Sequence, residues 1–78
     1  MPARAGRFTS ERKAMHPSTE AILRHFDFSH LPPELAAVSE RFHTLAHDMA
    51  FQFDGPELTA GLRKLLEAKD CMVRAALP

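Results

Sequence analysis

Leu35, Val38, Phe42, Leu45 and Met49 follow one another at steps of 3, 4, 3 and 4 residues. That spacing lines apolar side chains along one seam of a helix. It predicts a long central helix from about Pro33 to about Phe51, packed through this seam, with Glu40, Arg41, Thr44, His47 and Asp48 mostly on the other side. Pro32 and Pro33 suit its start, because proline has no N–H and a fixed φ that fits a first turn. A residue before proline is pushed toward extended backbone. Leu31 and the preceding Phe26 and Phe28 are therefore expected to form a short extended arm. In such an arm both rings point the same way, to cover a core or offer a face to a ligand.

Asp54-Gly55-Pro56-Glu57 is the clearest turn in the chain, and Asp54 with Glu57 three residues later resembles a capping box. Phe51 and Phe53 are placed to cap the hairpin that it closes. A second long helix begins there, with Leu58, Leu62, Leu65, Leu66, Met72, Val73, Ala76 and Leu77 giving an apolar surface wider than one partner helix covers. Arg63 with Glu67 and Asp70 with Arg74 are i, i+4 pairs for its exposed side. Lys69 falls where the seam would prefer an apolar residue, so it either snorkels to water or aims its charge at a shared pocket. Upstream, Pro17 opens a short helix with Ser18 or Thr19 as cap and an end near His25. The fold class is all-α: a short N-terminal helix plus an antiparallel two-helix hairpin. A hairpin this small has little interior, and the excess leucine surface predicts assembly as a homo-oligomer.

Composition changes this picture in few places. With 45% hydrophobic and 26% charged residues the 78-residue chain reads as one folded domain, not a disordered segment. Net charge is zero, yet Arg4, Arg7, Arg12 and Lys13 against Glu11 leave residues 1–16 basic and the remainder acidic. Residues 1–16 are expected to be a flexible basic tail and residues 17–78 the hairpin domain. An acidic folded part argues against a general binder of long nucleic acid. The single Cys71 rules out an intrachain disulfide and fits a reducing compartment, and no apolar run is long enough to span a bilayer, so a cytoplasmic location is expected.

No P-loop, dinucleotide fingerprint or nucleophile motif occurs, so no catalytic residue and no enzymatic activity is expected. His43 and His47 are i, i+4, a spacing that can set two imidazoles on one metal. The glutamate that makes such a motif catalytic is absent, Thr44 standing next to His43. Surface or interface histidines are the expected reading, with no metal and no cofactor. What remains is a set of rings and cations: Phe26 and Phe28 before the central helix, Arg41 and Thr44 on it, and Arg63, Lys64, Lys69 and Arg74 on the second. Aromatic faces stack on nucleobases, and guanidinium forks and hydroxyls hold phosphate oxygens.

Phe26-Asp27-Phe28-Ser29-His30-Leu31-Pro32, Val38-Ser39, Phe42-His43-Thr44-Leu45-Ala46, and the run Leu62 to Asp70 with Val73-Arg74-Ala75 together resemble one family. It is the phage anti-CBASS cyclic-nucleotide sponge family, whose helical-hairpin domain also occurs in sponges against Thoeris signals. The resemblance spans roughly residues 25 to 77. It implies a homohexamer that sequesters cyclic dinucleotides, and cyclic trinucleotides in a second type of pocket, in the cytoplasm of an infected host without cleaving them. On that resemblance Phe28 or Phe26 would stack on a base and Arg41 would stand near the phosphates, where relatives carry lysine. Thr44, Arg63 and Arg74 would serve the second pocket. The family often has tyrosine at the position of Phe28, and phenylalanine keeps the stacking face without the hydroxyl. The alternative, from a different class, is an oligomeric helical module that binds a protein or nucleic acid through the basic N-terminal tail.

Overall fold

A proline stands at the first position of every helix in the described chain, where its missing N–H costs no hydrogen bond. The computed structural model describes residues 15–78. The helices are α1, Pro17–Arg24; α2, Pro33–Gln52; and α3, Pro56–Ala75. The all-α class and the helix positions thus agree with the sequence pattern. α2 and α3 form the main pairing, and α1 lies across them, chiefly on α3. The basic-tail reading of residues 1–14 lies outside the described residues. Met15 and His16 belong to the fold, since Met15 packs against the core and His16 caps α1.

Both expected side-chain caps are replaced. The Nδ1 of His16 accepts from the Ser18 N–H at 3.1 Å, because Pro17 takes the first helical position and so puts the cap at the residue before it, ahead of Ser18 and Thr19. At α3 the cap is Gly55, and no side chain bonds there, so Asp54 stands one residue out of register for a capping box. Gly55 has φ 100° and ψ 177°, a region that residues with a Cβ rarely enter. An added methyl would meet nothing within 4 Å, so the cost of Gly55→Ala is backbone strain alone. We expect it to destabilise the fold by about 1–3 kcal/mol. A denaturant midpoint unchanged from wild type would show that the turn relaxes freely.

The core consists of Ile22, Leu23 and Phe26 from α1 and its end, Ala46 and Ala50 from α2, and Leu62 from α3. α2 therefore turns small residues inward, and its fully enclosed positions are Ser39, Ala46 and Ala50. The Leu35–Met49 seam is packed only in part, with Phe42 lying against the core. Leu35, Val38, Phe42 and Met49 are half-buried and Leu45 is 42% exposed. The innermost positions of α2 are taken by small residues, Ser39, Ala46 and Ala50, and the larger side chains of the seam flank them. Phe51 and Phe53 likewise remain exposed and do not close the hairpin end.

Ser39 has no accessible surface, and its hydroxyl has no hydrogen-bond partner. A buried polar group left unsatisfied costs about 1–3 kcal/mol. Ser39→Ala removes that group at nearly constant volume and is expected to stabilise the fold by about 1 kcal/mol. A fall in the midpoint would mean that the hydroxyl has a partner in solution.

Candidate ligand-binding site

The expected extended arm is instead a folded connection. His25 and Phe26 donate back to Ile22 and Leu23 at 3.0 Å, and the Leu31 N–H bonds the Phe28 carbonyl at 3.1 Å. The Asp27 carboxylate accepts from the Ser29 N–H at 3.2 Å and from its hydroxyl at 3.1 Å. These bonds hold the Asp27 carboxyl below the usual range, the Ser29 N–H first and its hydroxyl second. Asp27 and Ser29 supply a local turn, so the segment that carries Phe26 and Phe28 is not an extended arm.

The turn separates the two rings. Phe26 is 0% exposed and has no face free, so the expectation that it offers its ring to a ligand is corrected: it is a core group. Phe28 is half-buried and meets His43 edge to face, with centroids 5.2 Å apart at 84°. His43 in turn faces His47, centroids 4.2 Å apart and tilted by 34°. The three rings form a short ladder from the connection along α2. Burial, and then the neighbouring His43, hold the His47 imidazole below its usual value and favour its neutral form.

The cations lie elsewhere. Arg41 is two residues from His43, about 200° around the helix, and so projects from a different face of α2 than the ring ladder. It borders an apolar groove of about 590 Å³ with Val38, Phe42 and Leu45 of α2 and Met72, Ala75 and Ala76 near the end of α3. Thr44 is exposed on α2. Arg63 lines a second hollow of about 420 Å³ with His16, Ser18, Thr19, Gly55, Pro56 and Thr59, where α1 and α3 both begin. Helix N-termini and a guanidinium make that hollow electropositive. The prolines mark both helix starts in the sequence, but nothing in the spacing says that they meet.

Arg74 is exposed and donates to the Cys71 sulfur at 3.5 Å. Lys69 has only 11% of its side chain exposed, and its ammonium lies 3.0 Å from the Asp70 carboxylate. Asp70 thus pairs with its neighbour, not with Arg74 as the i, i+4 spacing suggests. One chain therefore does not bring Phe28, Arg41, Arg63 and Arg74 together. Arg41 borders the end of α3 that carries Arg74, whereas Arg63 lies where α1 and α3 begin. Comparison with protein families, curated proteins and solved structures found no match to this chain.

Proposed function

We propose that this chain is a non-enzymatic phage anti-defence protein that binds and sequesters cyclic oligonucleotide immune signals, chiefly cyclic dinucleotides. It thereby starves CBASS-type effectors of their activator. The observation that carries this reading is Phe28, a half-buried ring braced by His43 and left partly open, in a chain where Arg41, Arg63 and Arg74 are exposed. A braced aromatic ring gives a base a stacking face at low entropic cost. The resemblance over residues 25 to 77 supplies the ligand class.

Assembly belongs to the same proposal. Leu45, Met72 and Leu77 are 42%, 51% and 52% exposed, and the groove beside Arg41 is bounded mainly by apolar side chains. Packing equivalent hairpins through this surface buries it and brings Arg41 of one copy toward the rings of another. We assign a homohexamer on the resemblance, and Thr44, Arg63, Lys69 and Arg74 as candidates for contacts to phosphates or to a second, trinucleotide pocket.

The test is recovery of the ligand. Protein incubated with a cyclic dinucleotide, then denatured, should release the ligand intact. Release of linear products would make the protein a nuclease and end the sponge reading.

A further inference from the structure

We propose that His43 and His47 form a two-imidazole binding site for a borderline transition-metal ion, of the class Zn²⁺, Ni²⁺ or Cu²⁺, on the outer side of α2. The proposal does not rest on the nucleotide reading. The sequence spacing alone made these surface histidines, and the ring geometry adds what the spacing lacked. The two rings already face each other with centroids 4.2 Å apart and a 34° splay. With metal–nitrogen bonds of about 2.0–2.1 Å, two nitrogens on one ion stand roughly 3 to 3.5 Å apart. Rotation of both side chains, which parts the rings by roughly an ångström, sets one nitrogen of each on a shared ion, as the i, i+4 spacing allows.

Two further features favour the site. α2 runs unbroken from Pro33 to Gln52, so both ligands sit on a rigid element. Phe28 packs against His43 with its centroid 5.2 Å away, and so restricts one of the two rings before an ion arrives. Imidazole suits Zn²⁺, Ni²⁺ and Cu²⁺, while Mg²⁺ and Ca²⁺ prefer oxygen ligands. Among the described residues no third His, Cys, Asp or Glu joins the pair, so water completes the coordination and the site is an exchangeable one. Asp27 and His30 on the neighbouring connection are 4.0 Å from each other and already engaged, which makes His30 a suitable control.

Zn²⁺ titrated into the full chain at pH 7.5, followed by calorimetry and by the histidine ring resonances, tests this directly. The expected result is saturable binding with the His43 and His47 rings shifted and no response to Mg²⁺. His47→Gln should weaken it about a hundredfold, the lower end of what joining two ligands on one frame provides. His30→Gln should leave it unchanged. Equal Zn²⁺ affinity in wild type and His47→Gln, absence of binding at millimolar Zn²⁺, or loss caused by His30→Gln alone would each overturn the assignment. Circular dichroism of the variants separates these outcomes from misfolding, and His47 is exposed enough for the fold to survive its replacement.

Discussion

Phe26→Ala should leave the chain largely unfolded under conditions where wild type is folded. Phe26 is the largest side chain with no exposed surface, and it stands where α1 ends against Ala46, Ala50 and Leu62. Truncating a buried phenylalanine costs about 3–5 kcal/mol, in lost transfer energy plus the cavity left behind. Small domains hold about 5 kcal/mol in total, at the lower end of the usual range, so the loss consumes most of it. The small residues opposite cannot expand to refill the space. Urea unfolding followed by far-ultraviolet circular dichroism, at one fixed protein concentration because association adds to stability, measures the effect. A loss below about 1 kcal/mol would show that Phe26 is not the keystone of this core. Leu45→Ala is the contrasting case, since a residue 42% exposed leaves no closed cavity.

Phe28→Ala should weaken cyclic dinucleotide binding about five- to 150-fold while the helices stay folded. The range follows from the roughly 1–3 kcal/mol by which a base stacked on an aromatic ring is held. Phe28 is half-buried and its described ring partner is His43, so its loss costs stability far less than loss of Phe26 does. Phe28→Tyr keeps the face and adds a hydroxyl, and should bind within a few-fold of wild type or better. Calorimetry on the three proteins separates the cases. Unchanged affinity in Phe28→Ala would mean that this ring is not the platform, and the ligand site would then have to be sought at the Arg63 hollow.

The helices were legible because proline punctuates the chain. Pro17, Pro33 and Pro56 each open a helix at the position that their sequence context implies. The packed face of α3 was legible in Leu58, Leu62, Leu65 and Leu66, but that of α2 only in part, because periodicity marks large apolar residues and its buried positions are small ones. Ser39, Ala46 and Ala50 carry little hydrophobic signal, yet they take its innermost positions. The connection was misread because the pre-proline preference reaches only Leu31, whereas Asp27 and Ser29 build a turn further upstream. Two rings that share a direction in an extended strand then part, one into the core and one toward the surface. The rings and cations of the candidate site were visible as residue types. Their separation onto different faces of one chain depends on tertiary placement, which spacing along single helices does not encode.

Native mass spectrometry of the protein, alone and with a panel of cyclic di- and trinucleotides, bears most directly on the central claim. It reads subunit number and ligand stoichiometry in one spectrum. The account predicts a homohexamer that takes up a defined number of intact cyclic nucleotides. A stable oligomer that binds none of them would contradict it, and would shift the weight to an interaction module acting through the basic residues at the N-terminus.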